Sequence, residues 1–301
     1  MDSKLNKLKG CFTALISPFD EDYDLDKEKY REFIRWQIKS GCGLVPCGTT
    51  GESATMSHEE HHKVMEWCVH EAAKSKEKPF VLAGSGSNST DEAINLSLHA
   101  QRIGVDGLLV ITPYYNKPTQ KGLVAHYSAI AEEVDIPIIV YNVPSRTGKN
   151  ILPDTVATLA EKYKNIAGYK AASGNIDQIR EVINKTPEDF IVMSGDDGLT
   201  YDIMKSGGAG VISVASNIIP SRMCDFVGKM QKGLWDEAKE ENNKLQKLFK
   251  NLFIETNPGP VKYCAELLGM MDRRMRLPMV PPEPENQDLL KETLKKLNIM
   301  D

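Results

Sequence analysis

The 301-residue sequence predicts an α/β fold of the (β/α)8 barrel class with a C-terminal helical appendage. Eight short apolar runs, rich in β-branched residues, recur roughly 20 to 37 residues apart, and each is followed by a longer amphipathic stretch. The runs are almost continuously apolar, as expected for parallel strands that are covered on both faces. Eight such units ending near residue 230 favour a closed barrel over a doubly wound open sheet, and the sequence contains no complete dinucleotide-binding fingerprint.

The predicted strands cover residues 11–16, 43–47, 80–84, 107–111, 136–141, 166–170, 190–194 and 210–214. Between them, amphipathic patterns predict helices over 26–39, 57–74 and 90–103. Ser57 and Glu60 form the sequence pattern of a capping box, and Thr90 opens the third helix ahead of two acidic residues.

Beyond residue 232 the pattern changes to helices only. One apolar face is made of Leu245, Leu248, Phe249, Leu252 and Phe253, and further helices are predicted over 261–268 and 287–297. The predicted organisation is therefore a barrel catalytic domain over 1–232 and a helical region over 233–301.

The composition excludes several classes of partner. With 37 basic and 42 acidic residues, the formal charge is −5, which argues against a nucleic-acid partner. No run approaches the ~18 apolar residues of a membrane span. The first ten residues lack the apolar run of a signal peptide. Six cysteines without a C-x-x-C pair fit reduced thiols, so a cytoplasmic protein is expected.

Short motifs for metal binding occur but lack parts that their chemistry needs. His58 and His62 match the H-E-x-x-H pattern of zinc proteases, yet no third ligand is evident downstream. The acidic run that starts at Asp20 imitates a calcium loop but has Leu25 where the sharp turn needs glycine. No metal site is expected from these motifs.

In a (β/α)8 barrel the working residues lie at the carboxyl ends of the strands. Lys170 ends the sixth predicted strand and is followed by small residues. In a low-dielectric pocket its pKa falls and the neutral amine becomes a nucleophile. From position alone, a lysine that extends to solvent or pairs with a buried acid is an equally good interpretation.

Other strand ends supply hydroxyl groups. Thr49 and Thr50 follow the second strand between glycines, where hydroxyls and open N–H groups suit a carboxylate. Tyr141 and Tyr115 supply phenols that can relay protons, although a single tyrosine is more often a packing residue.

Taken together, these segments resemble the dihydrodipicolinate synthase / N-acetylneuraminate lyase family. The resemblance covers the chain from about residue 10 to its end. The matching motifs, which occur in the family's order and at its spacing, are GTTGES, TPYYNKP, YNVPSRTG, GYKAASGN, SGDD, GVISV and NPGPVK. Ala171 departs from the pattern, because many members carry glutamate after the lysine.

The resemblance implies that pyruvate condenses with L-aspartate 4-semialdehyde through a Schiff base on Lys170, in the diaminopimelate route to lysine. No cofactor or metal is then required, because a protonated imine is itself an electron sink. Tyr141, Thr49 and Tyr115 match the family's proton relay, with Tyr115 contributed by a neighbouring subunit of a homo-oligomer, expected to be a tetramer.

The resemblance also implies the substrate-binding positions. Thr50 would hold the pyruvate carboxylate, with Gly195 and the main chain around Ile212 in the same pocket. Arg146 matches an arginine that binds the carboxylate of the second substrate, for which a planar bidentate cation is suited.

Feedback inhibition by L-lysine is a further implication. The residues that match the lysine site of inhibited members are Ser53, Ala54, His58, His61, Asn88, Glu92 and Tyr114. A polar surface between helices with no ligand is the alternative.

Three other functions compete. An aldolase that cleaves sialic acid or a related 2-keto acid shares the scaffold, but such lyases as a rule lack the arginine at the position of Arg146. A non-catalytic regulatory or binding protein on the same barrel is disfavoured by the intact set Lys170, Tyr141 and Thr49. The zinc protease is third.

Overall fold

The computed structural model describes residues 7–300. The eight strands are β1 (Gly10–Ala14), β2 (Gly43–Val45), β3 (Leu82–Gly84), β4 (Gly107–Ile111), β5 (Ile138–Asn142), β6 (Ile166–Ala171), β7 (Ile191–Ser194) and β8 (Gly210–Ser213). Each of the eight predicted runs contains or overlaps one of them.

The helices alternate with the strands and then continue alone. They are α1 (Lys27–Lys39), α2 (His58–Lys74), α3 (Thr90–Ile103), α4 (Gln120–Glu133), α5 (Pro144–Thr147), α6 (Pro153–Lys162), α7 (Ile176–Lys185), α8 (Thr200–Lys205), α9 (Pro220–Gln231), α10 (Trp235–Asn251), α11 (Gly259–Leu267) and α12 (Pro284–Lys296). This is the element order of a (β/α)8 barrel, and α10 to α12 are the C-terminal helical appendage that the sequence predicts.

The described chain divides into two compact units. Unit 1 comprises residues 7–10 and Phe80–Ile212, and unit 2 comprises Cys11–Pro79 and residues 213–300. Both units combine segments that are distant in sequence, which is a different division from the predicted domain boundary at residue 232; that boundary stays a prediction.

Within unit 1, successive strands from β3 to β8 pair in parallel. Gly10, the first residue of β1, donates a hydrogen bond to the Ala209 carbonyl, 3.0 Å away, beside β8. Within unit 2, β1 pairs in parallel with β2. Within each unit, parallel strands of this kind bring their carboxyl ends to one edge, and predicted site residues lie at or after those ends, such as Lys170 in unit 1 and Thr50 in unit 2.

A glycine in β6 sets the local geometry near Lys170. A Cβ added at Gly168 would lie 2.4 Å from the Ile191 carbonyl oxygen, so only glycine fits this approach of β7. The register of β5 against β6 also shifts between Ile138 and Ile139. Beyond the shift, Tyr141 lies opposite Lys170.

The predicted helix starts agree with the observed caps. Ser57 accepts a hydrogen bond from the Glu60 N–H, and the Glu60 side chain returns to the Ser57 N–H, completing the predicted capping box. Helix α3 starts at Thr90, as predicted, and Ser89 is its cap. Within residues 7–300, no helix combines the length and the apolar character needed to cross a membrane.

Candidate active site

Lys170 lies at the carboxyl end of β6 and is 6% exposed. Its ammonium nitrogen is 4.1 Å from the ring centroid of Tyr141 on the adjacent strand β5. The sequence left two interpretations equally open: a lysine in a low-dielectric pocket, or one that extends to solvent or pairs with a buried acid. The structure places Lys170 in the interior of unit 1.

Burial controls the charge of this amine. Desolvation lowers the pKa of Lys170 to about 7; the nearby carboxylate of Asp197 opposes that change, and the positive charge of Arg146 adds to it. A lysine with a pKa near 7 is substantially neutral at physiological pH, and a neutral amine can attack a carbonyl carbon. Burial therefore makes Lys170 a candidate nucleophile.

The segment after β7 leaves room for the lysine. A Cβ at Gly195 would lie 3.0 Å from Cε of Lys170 and 2.9 Å from Cβ of Ala172, so glycine is required beside the amine. The Gly195 N–H donates to the Ala171 carbonyl at 2.7 Å, which fixes this segment against β6. Asp197, at the start of the following turn, is buried.

The segment after β5 presents Arg146. The one-turn helix α5 ends at Thr147, and Gly148 caps it with a φ of +67°, which favours glycine. Arg146 lies in its last turn with an exposed side chain, close enough to Lys170 for its charge to act on the amine. Unit 1 thus brings together Lys170, Tyr141, Gly195 and Arg146, four of the predicted site residues.

Ile212, also predicted, is a buried residue of β8 in the same unit. Tyr115 is different, because its side chain is 88% exposed and its φ is +68°. A positive φ is energetically unfavourable for a tyrosine. Residues in such conformations are frequent at functional sites.

Thr49 and Thr50 belong to unit 2. Strand β2 ends at Val45, two residues before the predicted end. Pro46 follows and has no N–H to donate, and Cys47 has a φ of +57°, outside the strand region. The loop that follows lies close to the segment after β1, since a Cβ at Gly51 would lie 2.9 Å from the Leu15 carbonyl oxygen. Thr50 is buried, and its hydroxyl accepts a hydrogen bond of 2.9 Å from the Asn257 side-chain amide.

The residues predicted for the lysine site divide between the units. Ser53 and Ala54 lie in a 3₁₀ turn of unit 2, and His58 and His61 follow in the first turn of α2. In unit 1, Asn88 and Glu92 flank the start of α3, and Tyr114 is 39% exposed. The Asn88 carbonyl accepts a hydrogen bond of 2.8 Å from the Asn116 side chain.

Sequence reasoning did not assign a role to three residues that support these positions. Asn257 and Lys262, both in the NPGPVK segment, contact the loop after β2: Asn257 binds Thr50, and the Lys262 ammonium lies 2.7 Å from the Glu52 carboxylate. Asp197 acts on Lys170. The only sequence signal for them was membership of the family motifs, since Thr50 and Glu52 lie more than 200 residues from Asn257 and Lys262.

Among residues 7–300, neither His58 nor His62 belongs to a group of three side chains that lie close enough together to hold a metal ion. The zinc-protease interpretation therefore gains no support. His58 and His61 stay in the predicted lysine site.

Comparisons with known proteins agree with one another. The model of the dihydrodipicolinate synthetase family matches residues 7–297. A 4-hydroxy-tetrahydrodipicolinate synthase of Endomicrobium trichonymphae is 51% identical over 292 residues, covering 97% of this chain and 99% of the relative.

Two solved structures share the fold. Dihydrodipicolinate synthase from Aquifex aeolicus superposes with a TM-score of 0.94 at 45% identity, over 97% of this chain and 98% of that one. The lysine-bound enzyme of Cyanidioschyzon merolae gives 0.94 at 34% identity, over 98% and 99%. The predicted (β/α)8 class is confirmed, and over nearly its whole length the chain belongs to the dihydrodipicolinate synthetase family.

Proposed function

We propose that this chain is a 4-hydroxy-tetrahydrodipicolinate synthase, which condenses pyruvate with L-aspartate 4-semialdehyde through a Schiff base at Lys170. The observation that carries the proposal is the buried amine of Lys170 at the carboxyl end of β6, with a pKa of about 7. The names of the relatives, at up to 51% identity in those described above, support the same reaction.

The chemistry starts at the neutral amine. Lys170 Nζ attacks C2 of pyruvate, and loss of water from the adduct gives a protonated imine. This imine withdraws electrons, so a C3 proton leaves and an enamine forms. The enamine carbon attacks the aldehyde carbon of the second substrate. The amine of that substrate then attacks C2, closes the ring and releases Lys170.

Each step moves a proton, and phenols and hydroxyls near the amine can carry it. Tyr141 is positioned for this, because its ring lies 4.1 Å from Lys170 Nζ. We assign Thr49 and Tyr115 to the same relay, and Thr50 to the pyruvate carboxylate. The hydrogen bond from Asn257 would hold the Thr50 hydroxyl in one orientation. Gly195 and the main chain around Ile212 complete the proposed substrate-binding set.

Arg146 favours the synthase reaction over cleavage of a sugar-derived keto acid. Its guanidinium is exposed, and it acts electrostatically on Lys170, as expected for a cation at the mouth of the same pocket. Such a cation can bind the carboxylate of aspartate semialdehyde in a bidentate manner, which a polyhydroxy substrate does not need.

We propose a homo-oligomer, expected to be a tetramer, in which Tyr115 of one chain serves the site of its neighbour. The support is the 88% exposure of this large side chain together with its left-handed backbone. Aromatic side chains of this size become buried in subunit interfaces.

We also propose that L-lysine inhibits the enzyme through Ser53, Ala54, His58, His61, Asn88, Glu92 and Tyr114. The likeness to a lysine-bound synthase supports this, as does the carboxylate of Glu92, which suits an ammonium group. Tyr114 and Tyr115 are consecutive, so a shift of one on lysine binding would disturb the other.

The substrate assignment is tested by comparing substrates on one preparation. Pyruvate with L-aspartate 4-semialdehyde should turn over, and N-acetylneuraminate should be cleaved far more slowly. Arg146→Ala should raise the barrier for the semialdehyde by about 2 kcal/mol or more, because its carboxylate loses a charge partner. Imine formation with pyruvate should survive. Arg180→Ala, which removes an exposed arginine on α7, is the control. Faster cleavage of N-acetylneuraminate would overturn the assignment.

The regulatory assignment has a separate test. L-lysine should lower activity, D-lysine should not, and Glu92→Thr should abolish the inhibition while turnover persists. Glu188→Gln, at an exposed position before β7, should keep it. Full activity at saturating L-lysine would contradict the regulatory site and leave the synthase assignment intact.

A further inference from the structure

Three cysteine thiols of unit 2 converge at the amino ends of two strands. Cys11 is the second residue of β1, Cys42 directly precedes β2, and Cys224 lies in α9. Their sulfur atoms all lie within 4.8 Å of one another, and Cys42 Sγ is 3.2 Å from Cys224 Sγ. Thr49 and Thr50 follow the opposite, carboxyl end of β2, so this cluster is separate from the proposed substrate site.

The pairing of β1 with β2 explains why two of the thiols meet. Phe12 lies opposite Gly43, so the residues one step earlier, Cys11 and Cys42, are neighbours across the two chain segments. Side chains alternate along a strand, and Thr13, which shares a face with Cys11, bonds to Gln37 of α1. Cys11 therefore faces the helical layer.

Helix α9 supplies the third thiol on that same side. Its first residue, Pro220, has its carbonyl oxygen 3.9 Å from Cys42 Sγ. Cys224 follows one turn later. Gly41, directly before Cys42, has a φ of +87°, which favours glycine, and a Cβ there would lie in ordinary van der Waals contact with Cys224 Sγ, at 3.9 Å.

The separations match those of a metal-bound thiolate set. Zinc–sulfur bonds of about 2.3 Å in tetrahedral geometry place sulfur atoms about 3.8 Å apart, which lies between the 3.2 Å contact and the 4.8 Å limit of the cluster. A disulfide needs about 2.05 Å and would use only two of the three sulfurs. We propose that Cys11, Cys42 and Cys224 bind a divalent thiophilic cation of the Zn²⁺ class.

Burial fits this chemistry. Cys11 and Cys42 are buried, which keeps competing water from their sulfurs, whereas Cys224 is half-buried and gives an ion access from the surface. Binding replaces three thiol protons with one divalent ion, so the bound set carries a net charge of −1. Three protein ligands leave a fourth position, which a water molecule can occupy from the side of Cys224.

The site would join segments that are far apart in the sequence. Cys42 and Cys224 are separated by 182 residues, and unit 2 is built from the two chain segments that contain them. An ion bound to the folded chain stabilises it by mass action, so the thermal midpoint should rise with ion concentration. Among residues 7–300, this is the one group of three His, Cys, Asp or Glu side chains close enough to hold an ion.

The test uses the full chain, reduced and freed of metal with a chelator. Anaerobic titration with Co²⁺ should show one ion per chain and the thiolate-to-cobalt charge-transfer absorption, which Zn²⁺ should then abolish by displacement. Cys42→Ser and Cys224→Ser should weaken binding at least a hundredfold. Cys264→Ser, which changes a buried cysteine outside the cluster, should bind as the unaltered chain does.

A measurement on the unaltered chain removes any dependence on how the variants fold. Zn²⁺ should slow alkylation of Cys224 by iodoacetamide at least tenfold, as read from the mass of its peptide. Cobalt binding without the charge-transfer band would overturn the proposal, as would equal affinity in the serine variants. So would a reduced chain that binds no cobalt yet forms a Cys42–Cys224 disulfide when treated with peroxide.

Discussion

At the scale of single residues, the proposed reaction depends on one buried amine. Two opposite charges act on Lys170: Asp197 favours its ammonium form and Arg146 disfavours it, while burial favours the neutral amine most strongly. Gly195 contributes by having no side chain, since any Cβ there would crowd the amine. The residue type was evident from the sequence, but its protonation state depends on neighbours that only the fold brings near.

The rate of imine formation should follow this protonation state. The neutral fraction of Lys170 increases as the pH rises through about 7, so trapping by pyruvate should speed up over that range. In Asp197→Asn the charge that raises the pKa is gone, so the midpoint should move to lower pH. Stopped-flow measurement of imine formation against pH gives the midpoint. Asp189→Asn, at an exposed position, should leave it in place; an unchanged midpoint in Asp197→Asn would contradict the electrostatic account.

The buried lysine should also reduce stability. Its folded pKa of about 7 lies below the unfolded value, so between these values the unfolded chain binds more protons and stability rises with pH. Lys170→Met should raise the free energy of unfolding at pH 7 by about 2–4 kcal/mol, since each pKa unit corresponds to about 1.4 kcal/mol. The gain should shrink as the pH approaches the unfolded pKa. Urea unfolding at several pH values measures it, with Lys185→Met at the surface as the control. A loss of stability at pH 7 would count against the assigned pKa.

At the scale of elements, local sequence signals predicted where several helices start. They did not predict which distant residues each element contacts. The capping box of Ser57 and Glu60 needs only residues three apart, so it could be read directly. The last helix begins at Pro284, three residues before the predicted start, because proline suits the first turn of a helix. The predicted fifth strand began too early, at residue 136; β5 starts at Ile138, after Pro137, which has no N–H to donate.

Local sequence signals did not predict the ion pair that Lys262 forms with Glu52 in the loop after β2. Lys262 of α11 is fully buried, 2.7 Å from the Glu52 carboxylate, and it also donates to the Ser17 carbonyl at 2.9 Å. Glu52 and Ser17 lie 210 and 245 residues from Lys262, so no local pattern joins them to it. Glu52 follows Thr50 by two residues, so the pair helps to hold the loop that carries the proposed carboxylate-binding hydroxyl.

Breaking this pair should be costly. Lys262→Met leaves the Glu52 carboxylate buried without its cation, which should reduce the free energy of unfolding by about 3–5 kcal/mol. The double variant Glu52→Gln with Lys262→Met should recover part of that loss, because neither charge remains. Lys63→Met, which breaks an exposed pair with Glu59, should change little. Urea unfolding of the four chains decides; equal effects of Lys262→Met and Lys63→Met would contradict the role of burial.

At the scale of the whole molecule, the order of strands and helices could be predicted because almost continuously apolar runs, typical of buried strands, alternate with amphipathic helical patterns. The family motifs extended that prediction to the reaction class, and the match to the family over residues 7–297 confirms it. The oligomeric state is harder to predict from the sequence, because it depends on the shape and chemistry of surfaces, which the composition does not reveal. The exposed Tyr115 is the feature from which we infer a neighbouring chain.

Mixing two inactive variants tests whether Tyr115 acts across chains. Lys170→Ala and Tyr115→Phe should each lose most activity alone. In a mixed oligomer, the site that keeps Lys170 receives Tyr115 from the other chain, so activity should return to a substantial fraction of normal after joint refolding. Tyr114→Phe in place of Tyr115→Phe is the matched control. Two variants that stay inactive when mixed, although they co-assemble, would show that Tyr115 serves its own chain or none.

The central claim is that Lys170 is the nucleophile, and borohydride trapping tests it most directly. The chain is reduced with borohydride in the presence of pyruvate, digested, and its peptides are weighed. One reduced pyruvyl group should appear on the peptide that contains Lys170, with loss of activity, and Lys170→Arg should remain unlabelled because arginine keeps its proton. Lys262→Arg, at the other buried lysine described here, should label normally if it folds. A label on any other lysine, or no label at all, would contradict the account.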